Sequence, residues 1–156
     1  MVCCGEKWGI RLSMQGNYEH RVDQKGRVAI PVKFRKEFID RAVLTPGVDP
    51  CIVAYPESDW QTISQNYNYP SFSPSDDRDL SRYIFGNAFT VELDKQGRVA
   101  LPSNLRQRAR ISDDAVVVGV NRYMEIWSKE MWEEKNRRLE EAIWNLAERS
   151  KDKVKD

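Results

Sequence analysis

The sequence predicts an α+β fold in which two copies of one motif share a single pseudo-symmetric β core flanked by helices. The first observation is a repeat: Asp23-Gln24-Lys25-Gly26-Arg27-Val28-Ala29-Ile30-Pro31 returns as Asp94-Lys95-Gln96-Gly97-Arg98-Val99-Ala100-Leu101-Pro102, an offset of 71. The second is alternation. Tyr18, His20 and Val22 precede the first copy and Phe89, Val91 and Leu93 the second, the pattern of strands with one buried face. The third is size. One copy with its flanks has roughly 40 residues, near the lower limit for burying a core unaided, so two copies must combine.

Each element follows in order. Asp-x-x-Gly supplies a turn, because Asp bonds nearby backbone N–H groups and Gly accepts a positive φ without steric cost. Within each copy the alternating segment and the return strand, Val28–Ile30 or Val99–Leu101, are expected to form a hairpin that Pro31 or Pro102 ends. A short basic helix is expected over Val32–Phe38, and another over Ser103–Arg108 with Ser103 as its N-cap. Second hairpins then join Ala42–Thr45 to Ile52–Tyr55 and Ala115–Val120 to Met124–Trp127. The repeat persists here at an offset of 72, matching Gly47 with Gly119, Tyr55 with Trp127 and Trp60 with Trp132.

Between the copies, Glu57–Gln65 is expected to be a helix with Trp60 and Ile63 inward, residues 66–74 a loop, and Asp76–Phe85 a helix capped by Ser75 and ended by Gly86. Lys129–Ser150 is the longest expected helix. Trp132, Leu139, Ile143 and Leu146 form its stripe, and Glu133 with Arg137 and Glu134 with Arg138 are spaced as i,i+4 pairs. That stripe lies either on its own domain or on a second subunit. The implied division is an N-terminal extension at 1–16, disordered; a first repeat at 17–59; a helical connector at 60–87; a second repeat at 88–131; and a C-terminal helix with a frayed tail at 132–156.

Composition narrows the function. Hydrophobic residues at 40% and charged residues at 31% describe a globular chain, and no run approaches the roughly 18 apolar residues of a membrane span. Met1–Ser13 has no apolar signal region, so the expected location is the cytoplasm. Cys3, Cys4, Cys51 and a lone His20 lack paired metal-ligand spacing, so no metal or other cofactor is expected, and His20 is expected to be an ordinary surface or interface side chain. Neither a phosphate loop nor a nucleophile–base set is present, which argues against an enzyme or a small-molecule substrate.

With 25 basic and 24 acidic residues the net charge is +1, so nucleic-acid binding requires segregated charge. Lys25, Arg27, Lys33, Arg35 and Lys36 cluster in the first copy, and Arg98, Arg106, Arg108 and Arg110 in the second. Acidic residues concentrate in the connector and the last helix. Arg27 and Arg98 have two readings: each pairs with the Asp of its turn and pins it, or each reaches phosphate or a guanine edge with its planar donor fork.

Over roughly Met14–Ser150 the paired Asp-x-x-Gly-Arg motifs, each followed by Pro and an Arg-bearing helix, resemble the MraZ family of bacterial regulators, built from two SpoVT/AbrB-like halves. The resemblance implies swapped-hairpin halves forming a pseudo-dimeric β-barrel and a homo-oligomeric closed ring. It implies sequence-specific binding of double-stranded DNA at repeated sites upstream of the cell-division and wall operon, including the family's own promoter, and a nucleoid-associated location. Carried over residue by residue, it gives Arg27 the closest DNA role, with Lys25 at an often-basic position. In the second copy Gln96 stands there and Lys95 one place earlier. Lys33, Arg35 and Arg98 complete the expected DNA-binding set, and Asp23, Gly26, Asp94 and Gly97 form its structural frame. The alternative is an AbrB-fold antitoxin-like protein that binds a partner protein as well as DNA.

Overall fold

In the computed structural model, which describes residues 13–154, each Asp-x-x-Gly turn forms as its residues dictate. Gly26 and Gly97 take φ of +74° and +76°, and each glycine N–H bonds the carbonyl of its turn's aspartate. The turns lead from β1 (Asn17–Arg21) into β2 (Arg27–Ala29) and from β5 (Phe89–Val91) into β6 (Arg98–Ala100).

The strands then pair across the repeats. β2 runs antiparallel to β6, with Val28 facing Val99. Since 28 plus 71 is 99, each valine meets its own repeat equivalent, which places a pseudo-twofold axis between them. The expected hairpin within each copy is thus corrected. One backbone bond, Asp23 N–H to the Arg27 carbonyl at 3.0 Å, closes the turn, and β1 then departs to pair with β7. The cause is burial: two identical three-residue strands that pair with each other bring both valines to zero exposure.

The remaining strands are β3 (Ala42–Pro46), β4 (Ile52–Pro56), β7 (Asp114–Val120) and β8 (Tyr123–Ser128). They form a six-stranded antiparallel sheet of order β1-β7-β8-β4-β3-β5. Exchanging the repeats maps that order onto itself. At its centre Val53 of β4 faces Glu125 of β8, again repeat equivalents, at an offset of 72. Among the described residues β1 and β5 are edges that do not pair with each other, so sheet and ribbon are not closed into one barrel by hydrogen bonds.

The main core lies between ribbon and sheet. Val28, Ile30, Val99 and Leu101 pack with Leu44, Ile52, Val117, Met124 and Ile126. Phe34 and Phe38 of a 3-10 helix (Val32–Phe38) and Leu105 of a short α-helix (Ser103–Arg108) complete it. A second cluster around Val53 and Trp127 occupies the opposite face, where Trp132 of the last helix packs on it.

Helices are numbered α1 (Glu57–Ser64), α2 (Ser75–Gly86), α3 (Ser103–Arg108) and α4 (Lys129–Val154). Ser103 and Ser75 do not cap their helices as expected. Pro102 and Pro74 hold the N-cap positions without a side-chain cap bond, and the serines are the first helical residues. Proline's fixed φ sets the entry instead. Ser128 does cap α4, its Oγ accepting the Met131 N–H at 3.1 Å.

Several boundaries move. A 3-10 turn, Gln65–Tyr67, takes the start of the expected loop. Arg137 pairs with Glu141 rather than Glu133, while Glu134–Arg138 forms as expected at 2.6 Å. Met14, placed in the extension by sequence, is buried and exchanges two backbone bonds of 2.9 Å with Asn121. The rest of the extension, through residue 12, and the last two tail residues lie outside the described residues. No helix among the described residues is long and apolar enough to cross a membrane.

Because the ladders β2·β6, β1·β7, β3·β5 and β4·β8 all cross between copies, each half alone keeps only one two-stranded hairpin, β3·β4 or β7·β8. Fragments 14–74 and 75–154 should each give no cooperative thermal transition by circular dichroism, whereas the whole chain should melt in one step.

Candidate nucleic-acid interface

The site is built on the two turns. In the first, Asp23 Oδ1 accepts the backbone N–H groups of Lys25 and Arg27, both at 2.9 Å, and Oδ2 accepts Arg27 Nε at 2.7 Å. In the second, Asp94 Oδ1 accepts those of Gln96 and Arg98 at 2.9 Å, and Oδ2 accepts Arg98 Nε at 2.8 Å. The geometry repeats because the residues do. Arg98 also reaches across the ribbon to Asp23, at 3.6 Å, joining both turns into one cluster.

This settles part of the earlier alternative. Both arginines pin their turns through Nε. Neither is consumed by doing so, since their side chains remain 30% and 27% exposed and no protein acceptor holds the Nη groups of Arg27 among the described residues. Asp23 and Asp94 are held below the ordinary carboxylate range, first by the backbone N–H of Arg27 or Arg98 and further by that arginine's side chain.

The glycines carry a second, less visible constraint. A Cβ on Gly26 would lie 2.8 Å from Cζ of Arg106, and one on Gly97 would collide with Arg35. Arg35 and Arg106 are repeat equivalents, so each short helix lays its arginine over the other copy's turn. Arg35 also donates Nε to the Ile30 carbonyl at 2.9 Å. Of the expected DNA-binding residues, Arg35 is therefore tied into the frame, while Lys25, Lys33 and Lys95 are exposed, as is Lys36 beside them. Lys33 and Lys36 belong to the same 3-10 helix as Arg35, which lies against Gly97 of the second turn. Arg108, from the second basic run, leaves this face. It donates to the Gly47 carbonyl at 2.7 Å and sits 5.5 Å from the Tyr83 ring centre.

His20 is half-buried rather than a free surface group, and its Nε2 is enclosed without a hydrogen-bond partner. Burial, then the nearby Arg35 charge, lowers its pKa. No group of His, Cys, Asp and Glu among the described residues is arranged to hold a metal ion. The Arg106–Gly26 and Arg35–Gly97 contacts escape sequence reasoning because they span the repeats; the shared Arg at offset 71 was the only available sign.

Gly26→Ala should cost about 1–2 kcal/mol in urea unfolding from the left-handed backbone alone, and Gly97→Ala should cost at least as much. The aspartates add a pH dependence. Because their folded pKa values are depressed, their stabilisation is complete above the unfolded value of about 3.9 and is lost as pH falls below it through the lower folded value. The stability gap between the chain and Asp23→Asn/Asp94→Asn should therefore be constant near neutrality and shrink in acid, as checked by urea melts at several pH values.

Comparison with known proteins agrees with the repeat. The family model described as "MraZ protein, putative antitoxin-like" matches twice, over residues 14–83 and 84–154. A "Transcriptional regulator MraZ" of Desulforamulus reducens is 41% identical over 133 residues, covering 85% of this chain and 94% of that protein. Proteins of the same name from Thermoanaerobacter pseudethanolicus and Natranaerobius thermophilus are each 42% identical, over 86% and 85% of this chain and 94% and 93% of their own lengths. With two adjoining matches that meet at residue 83/84 and relatives aligned over most of both chains, this protein belongs to the MraZ family.

Proposed function

We propose that this chain is a sequence-specific DNA-binding transcriptional regulator that meets double-stranded DNA with the outer face of the β2–β6 ribbon. The observation that carries the reading is the joined pair of Asp-locked turns on one face, each with an exposed lysine at its tip. Relatives named transcriptional regulators support it. Asp23, Asp94, Arg27 and Arg98 sum to zero charge, so the attractive field there comes from Lys25, Lys95, Lys33 and Lys36. Arg27, fixed through Nε, presents Nη groups to a phosphate or a guanine edge. As the family resemblance implies, the targets are repeated sites before the division and cell-wall operon, including the chain's own promoter. The location is then the cytoplasm, at the nucleoid.

The chain is further proposed to act as a homo-oligomer, a closed ring, with the two copies' strands forming a pseudo-barrel. The distal part of α4 supports assembly: Ile143, Trp144 and Leu146 are 50%, 81% and 37% exposed. Repeated weak faces on a ring gain by effective concentration on repeated sites. That same surface, with the antitoxin-like description of the matching family model, favours the antitoxin-like reading, in which it holds a partner protein.

A gel-shift with the chain's upstream DNA tests the function. Lys25→Ala should lower affinity for all sequences alike and reduce the salt slope by about 1 per site, with melting unchanged. Arg27→Ala should weaken binding more than Arg98→Ala, by about 1–3 kcal/mol per site if Arg27 meets a base. Binding by Lys25→Ala and Arg27→Ala at unchanged affinity and salt slope removes this face from the interface. Light scattering should report particles several times the 18.2 kDa chain; a monomer at micromolar concentration excludes the ring.

A further inference from the structure

On the side of the six-stranded sheet away from the ribbon, α1 and α2 leave a groove of about 660 Å³ over β3, β4 and β8. Its volume falls in the range of small-molecule sites. The walls are aromatic: Tyr55 lies 5.6 Å from Trp60 and 5.4 Å from Tyr123, ring centre to ring centre, and Tyr83 also lines the space. Burial first, then neighbouring charges that include Glu125, pushes the Tyr55 hydroxyl up to about 12, so this wall stays uncharged at neutral pH.

One carboxylate of the lining has no ion-pair partner among the described residues. Glu125 projects from the middle of β8 into the groove. Its carboxylate accepts Trp127 Nε1 at 3.2 Å and the Cys51 thiol at 3.7 Å, both neutral donors. Among the described residues no Lys or Arg lies within salt-bridge distance of it. The other charges of the lining are one carboxylate, which is ion-paired, and one guanidinium, which is held by neutral groups. Asp49 faces Lys135 at 3.4 Å, and Arg108 is turned to the Gly47 carbonyl and the Tyr83 ring. Within the described residues the groove thus offers a half-buried carboxylate with no ion-pair partner, set among aromatic rings. Carboxylate and π-faces attract the same kind of ligand, a cation.

We propose that this groove is a binding site for a small organic cation: an ammonium group on an aromatic or apolar stem, the charge held by Glu125 and the faces of Tyr55 and Tyr123, the stem against Trp60. The repeat strengthens the argument. The equivalent of Glu125 in the first copy is Val53, which faces it across the pseudo-twofold axis, so the carboxylate is not required by the β4–β8 pairing itself. The proposal does not rest on DNA binding, since sheet and core separate the groove from the ribbon.

The test is isothermal titration calorimetry of the full chain with benzyltrimethylammonium chloride, against benzyl alcohol as a neutral control. The cation should bind saturably, one per chain, and more tightly than the alcohol. Glu125→Gln keeps an acceptor for Trp127 and should weaken the cation about tenfold or more while leaving the alcohol unchanged. Tyr123→Leu keeps apolar bulk and should weaken it about fivefold, which serves as the reading if Glu125→Gln fails to fold. Lys25→Ala, whose expected effect is on DNA, should leave the affinity for the cation unchanged. Absence of saturable binding, equal affinity for alcohol and cation, or undiminished binding by the folded variants overturns the proposal. So does binding that disappears as protein concentration and assembly rise, which gives the groove to a neighbouring copy.

Discussion

The pairing of Val28 with Val99 across the pseudo-twofold axis is the constraint on which the rest of the molecule depends. Once β2 and β6 lie together, their turns are fixed at opposite ends of a two-stranded ribbon, and β1 and β5 are directed away from their own copies. Each can then pair only in the sheet that the second hairpins form. The ribbon is three residues per strand, too short to stand alone. It survives because both valines, with Ile30 and Leu101, are buried on the sheet. The further bonds from Ile30 N–H to the Gly97 carbonyl and from Leu101 N–H to the Gly26 carbonyl extend it at both ends.

The Asp–Arg pairs follow from that geometry and also limit what they can do. Two aspartates and two arginines gathered on one face cancel in charge, yet they hold side chains that long flexible arms would not hold alone. Arg27 gives up Nε and backbone freedom to the turn, so its Nη groups project from a defined position with less entropy left to lose on contact. On the proposed DNA-binding reading, specific geometry comes from the neutral cluster, and long-range attraction from lysines whose positions matter less. The repeats are unequal here. Lys25 follows Asp23 by two residues and its backbone N–H is bonded to Oδ1, whereas Lys95 follows Asp94 by one, so the two lysines leave their turns in different directions.

Much of this was legible in the sequence, for local reasons. The turns, the second hairpins, the basic helices and α4 depend on residues close in the chain, and their bounds differ by a few residues from the expected ones. What escaped is non-local. A hairpin pattern states which face of a strand is buried but not which strand completes the ladder, and the tandem copies offered two equally good partners for every strand. The serines expected as caps failed because a proline before each had already set the helix entry. In the site, the motif residues found each other within five positions of sequence, while the arginines that lie over the glycines came from the other copy.

The repeat also explains where the chain is free to differ. At the ribbon's axis Val28 meets its own equivalent, Val99, so a change at this position in one copy is felt at once by the other. On the opposite face of the sheet an axial pair of equivalents is not kept alike. There Tyr55 on Trp60 and Trp127 on Trp132 repeat one contact, but the first copy continues into α1 and α2 and the second into α4. Val53 and Glu125 sit at the axis of the larger sheet and still differ, because their side chains project toward the helices, where the symmetry has already been broken. Burial of both partners keeps the ribbon's axial valines alike; on the other face the axial pair opens toward unlike helices, and there a carboxylate can stand opposite a valine.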